Sequence, residues 1–223
     1  MLYTRTIARR LPGAHTIDFR RAMSSQDKIL FGPFEVTDQV FYKTAHSFAL
    51  VNLKPLLPGH VLICPLKPYK RLTEIPAAEV TDLFTTTQLI QNMLARRYFP
   101  SPSGGAPAPP PPEAGSFNVA LQDGVDAGQT VAHVHVHIIP RVPDETGKDG
   151  AGARDEIYEQ MATEPGNVGG ALWDAALGKR PAASGRFDNI EDAMRKARSM
   201  EDMVGEAEEY KKLLREMGAV SKL

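Results

Sequence analysis

Residues 133–137 read His-Val-His-Val-His and are followed by further apolar residues. On a β-strand successive side chains point to opposite faces, so this run predicts a strand with His133, His135 and His137 on one face and branched apolar residues on the other. Each imidazole can titrate near neutrality, attack an electrophile, donate a hydrogen bond or bind a metal. Such a row is suited to phosphate chemistry or to metal ligation.

The composition restricts the partners that the chain can have. The 223 residues carry a formal net charge of -1 and a sequence pI of about 6.6, so no global electrostatic attraction favours a nucleic acid or an anionic membrane surface. The single cysteine, Cys64, excludes an internal disulfide and a Cys-rich zinc site, and fits a reducing compartment. No apolar run approaches the roughly 20 residues that span a bilayer. We expect no nucleic-acid partner and no membrane partner.

Residues 1–22 have a different, arginine-rich composition. Five arginines stand there against one acid, Asp18, an excess of positive charge that resembles an organelle transit segment. The alternative interpretation is a disordered leader over residues 1–28, part of which a start at Met23 would omit. The expected location is the cytoplasm, with the nucleus and, through residues 1–22, the mitochondrion as alternatives.

Apolar and polar residues that alternate between turn signals predict five short strands. These strands cover residues 40–43, 48–53, 60–66, 116–122 and 133–141. Apolar residues at three- or four-residue intervals predict a helix that opens at Pro76 and ends before Pro100. The apolar positions of this helix are Val80, Leu83, Phe84, Thr87, Ile90, Leu94 and Tyr98. The predicted fold class is α+β, a five-stranded antiparallel sheet with packed helices.

One domain over residues 29–160, with appendages, accounts for this pattern. Residues 100–115 are rich in proline and poor in apolar side chains, which predicts a mobile surface insertion. Residues 161–187 carry many glycines without a period and are assigned as irregular. Residues 188–217 combine an apolar stripe with Glu and Lys, which predicts a C-terminal helix that docks on the domain or lines a dimer.

The loop before the histidines has the chemistry of a phosphate site. Gly128 allows the backbone to approach a phosphate closely, and Gln129 and Thr130 offer neutral donors without the repulsion of a carboxylate. Alternating histidines can also converge on zinc, but the sequence offers no evident fourth ligand. The residues favour phosphate and leave a metal site as the alternative, and no metal ligand is assigned.

Several separate motifs, in the right order, resemble the histidine triad superfamily and, within it, the fragile histidine triad branch. They are Ser-Phe-Ala-Leu-Val-Asn at 47–52, Lys54-Pro55, Pro58-Gly59-His60-Val61-Leu62, Asp82-Leu83-Phe84, Gln122-Asp123-Gly124, Gly128-Gln129-Thr130-Val131, the histidine run itself and Ile157-Tyr158-Glu159. The similarity covers about residues 31–160, with a weaker echo at 201–208.

The resemblance implies a dinucleoside polyphosphate hydrolase of the bis(5'-adenosyl)-triphosphatase type. Such an enzyme cuts diadenosine triphosphate to AMP and ADP with a divalent cation, Mg or Mn, carried on the substrate phosphates. By the resemblance, His135 is the nucleophile that forms a nucleotidyl-histidine intermediate, which water later releases. His137 would contact the α-phosphate oxygens, and His133 would hold the strand face and orient the nucleophile. Gln129 would hydrogen-bond the leaving or attacking oxygen.

The same resemblance implies a set of substrate contacts. The set is Asn52, His60, Gln122, Gly128, Gln129, Thr130, Val131 and His137. The backbone of residues 128–131 would cradle the phosphate, whereas Asn52 and Gln122 would meet the ribose or phosphate end. His60 matches a family histidine near the site, where support of the sheet and contact with the ligand are both open.

Three further expectations follow from the resemblance. The family pairs two such domains into a homodimer, to which the terminal helix could contribute. Within the superfamily the alternatives are a nucleoside phosphoramidase and a nucleotidyl transferase, but the transferase branch carries glutamine where His137 stands, which favours water as the final acceptor. Outside catalysis, the alternative is a nucleotide-sensing signalling module, because Tyr158 matches a tyrosine linked to signalling, although a structural role for it is equally open.

Overall fold

The computed structural model describes residues 28–101, 108–143 and 197–223. The strands are β1 (Leu30–Phe31), β2 (Phe34–Glu35), β3 (Val40–Lys43), β4 (Ser47–Val51), β5 (Val61–Pro65), β6 (Ser116–Leu121) and β7 (Val136–Arg141). The two long helices are α1 (Ala77–Tyr98) and α2 (Met200–Glu216). Strands β3 to β7 form one antiparallel sheet in the order β3-β4-β5-β7-β6, so the predicted α+β class with a five-stranded sheet is confirmed.

The centre of the sheet is buried on both faces. Every residue of β4 and β5 is buried, and the register pairs Phe48 with Cys64 and Val51 with Val61. Helix α1 packs against β4, β5 and β7, whereas α2 packs against β3 and β4 and also contacts α1. A slip by one residue would exchange the two faces of a strand, so the different packing on each face pins the register. This register brings the end of β5 beside the histidine segment.

Helix α1 begins directly after Pro76 and ends one residue before Phe99, close to the predicted bounds. Its buried face contains Leu83, Thr87, Ile90 and Leu94 at the expected helical spacing. Phe84 was predicted on this face but is 42 % exposed. The position follows Leu83 by about 100° around the helix, which turns it away from the sheet.

Helix α2 is shorter than the predicted helix over residues 188–217. Residues 197–199 precede it without helical structure, and it begins at Met200 because Ser199 caps it. Ser199 Oγ accepts a hydrogen bond from the Asp202 N–H at 3.1 Å, and Asp202 Oδ2 accepts one from the Ser199 N–H at 3.3 Å. This reciprocal pair is a capping box. Residues 188–196 lie outside the described residues, as do the arginine-rich segment, Tyr158 and the irregular segment 161–187.

The histidine run is only partly a strand, which corrects the predicted strand over residues 133–141. Strand β7 begins at Val136, so His137 lies on it and His133 and His135 precede it. The backbone leaves the ladder because the His133 N–H donates to Val131 O at 2.7 Å and the Val134 N–H donates to Tyr69 O at 2.7 Å. The apolar residues between the histidines remain buried, as expected from the alternation.

The β1–β2 hairpin was not predicted from the sequence. It has two residues per strand, too few for an alternating pattern, and Gly32 takes φ 56° at its turn. Its Phe31 and Phe34 are buried in the core. The end of the proline-rich insertion also packs on the domain, because a 3-10 turn at Pro112–Ala114 contacts α1 and a Cβ on Gly115 would lie 2.6 Å from the Phe99 ring. No helix in the described ranges is long and apolar enough to cross a membrane.

Candidate active site

His133 uses both ring nitrogens inside the protein. Its Nε2 lies 2.7 Å from the carbonyl oxygen of Pro65, which can only accept, so Nε2 carries the proton. Its Nδ1 then accepts the N–H of Gly32 at 3.0 Å. Burial, the main cause, lowers the pKa of His133 to about 4. This neutral ring ties the hairpin turn to the end of β5 and has no nitrogen left for a ligand.

His135 is arranged as a nucleophile. Its Nδ1 lies 2.8 Å from the carbonyl oxygen of His133, so Nδ1 is the donor and Nε2 holds the lone pair. Burial lowers the pKa of His135, which keeps the ring neutral. Phe31 contacts the ring edge to face, with centroids 5.1 Å apart. The hairpin therefore fixes the plane of the ring that carries the reactive nitrogen.

His60 and His137 form a hydrogen-bonded relay that orients protons. The Leu56 N–H donates to His60 Nδ1 at 3.1 Å, so the proton of a neutral His60 is on Nε2. That nitrogen lies 3.0 Å from His137 Nδ1, which must accept. The proton of His137 is consequently on Nε2, a buried atom without a hydrogen-bond partner. Burial is the main cause that holds the pKa of His137 well below its usual range.

The rings of His135 and His137 lie side by side, with centroids 5.0 Å apart. One presents an unprotonated nitrogen and the other an N–H donor, and neither is charged at neutral pH. A buried polar donor without a partner is costly unless something binds to it. An anionic phosphate oxygen at His137 Nε2 would satisfy this donor while His135 Nε2 faces the phosphorus.

Asn52 and His60 are both buried, and the His60 ring contacts the His137 ring with centroids 5.2 Å apart. Asn52 Oδ1 accepts the Lys54 N–H at 3.0 Å, and its Nδ2 lies 3.3 Å from each nitrogen of His60. Sequence reasoning left the role of His60 open between support and ligand contact. The hydrogen bonds favour support, because both of its ring nitrogens contact protein atoms.

The loop over residues 122–131 is shaped by two glycines. Gly124 takes φ 110° and Gly128 takes φ 89°, in the left-handed region that favours glycine. A Cβ on Gly128 would lie 2.9 Å from Gln122 Nε2, so the Gln122 side chain rests directly on this backbone. The absence of a side chain at Gly128 allows this close approach.

Gln129, Thr130 and Val131 continue the loop. Gln129 is buried and donates from Nε2 to the carbonyl oxygen of Lys70 at 3.1 Å, which fixes its carboxamide. Thr130 is partly buried. The Val131 side chain points into the core against Gly32, where a Cβ would lie 2.5 Å from Val131 Cγ1. Only the backbone of Val131 is therefore suited to contact a phosphate.

Sequence reasoning missed two residues beside the site, Phe31 and Arg71. The Arg71 Nε lies 3.1 Å from Asp123 Oδ1, and its guanidinium covers Gly124, where a Cβ would be 2.9 Å from one terminal nitrogen. Asp123 also accepts the Leu72 N–H at 2.9 Å. The Gly32-Pro33 turn signal after Phe31 could have indicated the hairpin, whereas no local pattern marks Arg71.

The hypothesis of a zinc site on three alternating histidines does not fit the ring geometry. Both ring nitrogens of His133 have hydrogen-bond partners in the protein, and Nδ1 of His137 contacts His60. Among the described residues, no group of three or more His, Cys, Asp or Glu side chains converges to hold a metal ion. Neutral donors without clustered carboxylates suit a phosphate.

Comparison with known proteins agrees with this geometry. Residues 33–144 match the HIT domain family. The chain is 37 % identical to the bis(5'-nucleosyl)-tetraphosphatase (asymmetrical) of Schizosaccharomyces pombe, over 81 % of this chain and 91 % of that protein. It is 36 % identical to a bis(5'-adenosyl)-triphosphatase of Saccharomyces cerevisiae, over 84 % of this chain and 92 % of that protein. The crystal structure of the C. elegans NitFhit protein is 29 % identical with a TM-score of 0.51, and the match covers 85 % of this chain but 31 % of that longer chain.

Proposed function

Since the chain belongs to the HIT domain family, we propose that it is a hydrolase of dinucleoside polyphosphates that cuts diadenosine triphosphate to AMP and ADP. The names of the two yeast relatives support this substrate class, since one is a tetraphosphatase and the other a triphosphatase. One structural observation carries the proposal: the hydrogen bonds leave His135 Nε2 unprotonated beside the unpartnered N–H of His137.

The reaction begins when the lone pair of His135 Nε2 attacks the α-phosphorus in line with the leaving group. The bond from phosphorus to the bridging oxygen breaks, and ADP leaves as an anion that needs no proton near neutral pH. The ring then carries AMP and a positive charge, which the carbonyl oxygen of His133 stabilises through the Nδ1 proton. In the second step water attacks the same phosphorus, and the bond from phosphorus to His135 Nε2 breaks with its electron pair returning to the ring. The proton that the water loses passes to solvent, AMP leaves, and His135 is again neutral with its proton on Nδ1.

The other site residues stabilise the charge on the α-phosphate and position the substrate and the nucleophile. His137 Nε2–H donates to a non-bridging α-phosphate oxygen, where negative charge develops. The backbone of residues 128–131 cradles the phosphate, and Gln129 and Gln122 contact its oxygens or the adjacent ribose. His133 orients the nucleophile, and Asn52 acts through His60. A divalent cation, Mg or Mn, carried on the substrate phosphates would offset the negative charge of the leaving ADP.

The direct test is to trap the intermediate. Labelled diadenosine triphosphate is mixed with excess enzyme, quenched with acid-free denaturant within milliseconds and digested, and the adduct is mapped by mass spectrometry. We expect AMP on His135 in the native protein, no adduct in His135→Asn, and a normal adduct in His46→Asn, a matched change at an exposed histidine. An adduct on another side chain, or product without adduct, refutes the mechanism.

The tetraphosphate is the second candidate substrate, because the two yeast relatives differ in name at nearly equal identity. The protein is first treated with a chelator, and kcat/KM is then measured for diadenosine tri- and tetraphosphate with added Mg and with added Mn. The four values show which substrate and which cation give the higher activity. An AMP-amine conjugate in the same series tests the phosphoramidase alternative.

We also propose that the protein is a homodimer. Strand β6 lies at the edge of the sheet and leaves Val119 43 % exposed, so a second copy can cover an apolar edge that is otherwise open to pairing. Sedimentation velocity of the native protein and of Val119→Asp tests this, and a monomeric native protein at micromolar concentration contradicts it.

A further inference from the structure

A polar cluster outside the site joins α1 to α2. We call Tyr98, Arg198, Glu206 and Tyr210 the Glu206 cluster. The Tyr210 hydroxyl donates to Glu206 Oε1 at 2.6 Å and lies 2.8 Å from the Tyr98 hydroxyl, which also reaches Glu206 Oε1 at 3.4 Å. Arg198 Nη1 pairs with Glu206 Oε2. Three elements of the chain therefore meet on one carboxylate.

The carboxylate at the centre of the cluster is well shielded. The Glu206 side chain is 14 % exposed, and Tyr210 is fully buried against the ring of Phe41. Burial, then the charge of Glu206, raises the pKa of the Tyr210 hydroxyl, which keeps it a donor. A buried charge with a full set of partners favours one geometry, because breaking any contact leaves the others uncompensated.

The Glu206 cluster contacts both ends of the loop over residues 53–59. At one end, the Arg198 N–H donates to the carbonyl oxygen of Leu53 at 3.1 Å. At the other end, the ring of Tyr98 covers Gly59, where a Cβ would lie 2.6 Å from Tyr98 Cε2. Gly59 takes φ 79°, which favours glycine, so the loop can close under this ring.

This loop supplies the hydrogen bonds that orient the His60–His137 relay. The Leu56 N–H fixes the proton of His60, and Gly59 directly precedes His60 in the chain. Displacement of the loop would therefore weaken the 3.0 Å contact between His60 Nε2 and His137 Nδ1. Small displacements of groups that position a reaction have large effects on rate.

From these contacts we infer that Glu206 is a positioning residue for the reaction. Through Tyr98 and Arg198 it holds the loop over residues 53–59, so that His60 keeps the Nε2 proton of His137 aimed at the α-phosphate. The C-terminal helix thus positions the His60–His137 relay from outside the site. This inference rests on the proposed hydrolysis for its rate effect but not for its effect on His137.

The test compares Glu206→Ala and Glu206→Gln with Glu209→Ala, a control on the same helix that removes an exposed ion pair with Arg97. We expect kcat for diadenosine triphosphate to fall about 10- to 100-fold in Glu206→Ala with a smaller change in KM. Glu206→Gln keeps an acceptor for the tyrosine hydroxyls and should recover part of the loss. Glu209→Ala should match the native protein.

A second readout uses the resting protein without substrate. Nitrogen-15 spectra of the histidine side chains report which nitrogen of His137 is protonated. We expect mixed or exchanging tautomers of His137 in Glu206→Ala and a single Nε2–H form in the native protein and in Glu209→Ala. If the native protein does not hydrolyse the substrate, the proposed function fails, and this spectrum still decides the positioning role.

A purely structural role predicts a different outcome: a lower melting temperature, with kcat and the His137 spectrum unchanged below it. That result overturns the inference. Should both Glu206 variants fail to fold, Tyr98→Phe removes one hydroxyl from the cluster and keeps the ring on Gly59. The inference then requires a lower kcat and an altered His137 spectrum in Tyr98→Phe, and native values for both reject it.

Discussion

His60 Nε2 lies 3.0 Å from His137 Nδ1, and this contact decides where the proton of His137 is. Since the Leu56 N–H already donates to His60 Nδ1, the proton of His60 is on Nε2, and His60 donates this hydrogen bond to His137. A residue 77 positions away in the chain thus converts one of the triad histidines into a hydrogen-bond donor. In the neighbouring His135 the proton is on Nδ1 and not on Nε2, because Nδ1 of that ring contacts a carbonyl oxygen.

Replacement of His60 by leucine should remove this control. His137 Nδ1 then loses its buried partner, which costs about 1–3 kcal/mol of stability. A loss of the same size in the transition state lowers kcat about 5- to 150-fold. Single-turnover rates and urea unfolding measure the two effects, and His46→Leu at an exposed histidine is the control. Native rates in His60→Leu would show that the relay has no part in catalysis.

The pKa of His133 predicts how stability depends on pH. In the folded protein this pKa is lowered from 6.5 to about 4, so the unfolded chain binds a proton between these values and the folded protein does not. The free energy of unfolding should therefore be unaffected by this group above pH 6.5. It should fall by about 3 kcal/mol as the pH falls from 6.5 to 4. Urea unfolding at intervals between pH 7 and pH 4 measures it. His133→Asn should flatten this dependence relative to His46→Asn, and an unchanged slope would contradict the assignment.

Two glycine substitutions should change stability in opposite directions. Gly128→Ala places a side chain at φ 89° and 2.9 Å from Gln122 Nε2, so it should destabilise by about 1–2 kcal/mol and raise KM. Gly205→Ala lies within α2, and a Cβ there meets no atom within 4 Å, so it should stabilise by about 0.5–1 kcal/mol with unchanged kinetics. Chemical denaturation and steady-state kinetics of both variants check the signs. Equal effects would mean that the loop tolerates a different backbone.

Removal of the Phe31 ring tests the role of the hairpin. Phe31 is buried and contacts His133 and His135 with ring centroids 5.5 Å and 5.1 Å away. Phe31→Ala should cost about 3–5 kcal/mol through the cavity that it leaves, and kcat should fall because the His135 ring loses its edge contact. Leu30→Ala, at an exposed position of the same strand, is the control. Adduct formation at the native rate in folded Phe31→Ala would contradict this role.

The long, regular elements were predictable because their patterns are local. Strand β3 has the predicted bounds, and α1 departs from its prediction by one or two residues. The predicted bounds of a strand were wrong where a single distant contact competes with the local pattern. His133 and His135 alternate like strand residues, yet the backbone bond from Val134 to Tyr69 O draws them out of the ladder.

Short or distant contributors to the site were beyond sequence reasoning. Phe31 stands in a strand of two residues, and Arg71 reaches the loop through an ion pair with Asp123, 52 positions away in the chain. The Glu206 cluster unites residues 98 and 210, which no periodicity connects. Residues 188–196 of the predicted terminal helix lie outside the described residues, and the described helix begins at Met200, where Ser199 caps it.

The sequence by itself determined the sheet, the main helix and the chemical groups available at residues 122–137, since hydrophobic alternation and side-chain type are written locally. Tertiary structure decided which nitrogen of each histidine carries a proton. An imidazole is donor at one nitrogen and acceptor at the other, and the choice depends on the partner that each nitrogen meets. For His133 and His137 those partners come from Gly32, Leu56, His60 and Pro65, far from the triad along the chain, and only the folded chain brings them into contact. For His135 the partner is the carbonyl oxygen of His133, which the backbone presents to it only because this segment leaves the strand.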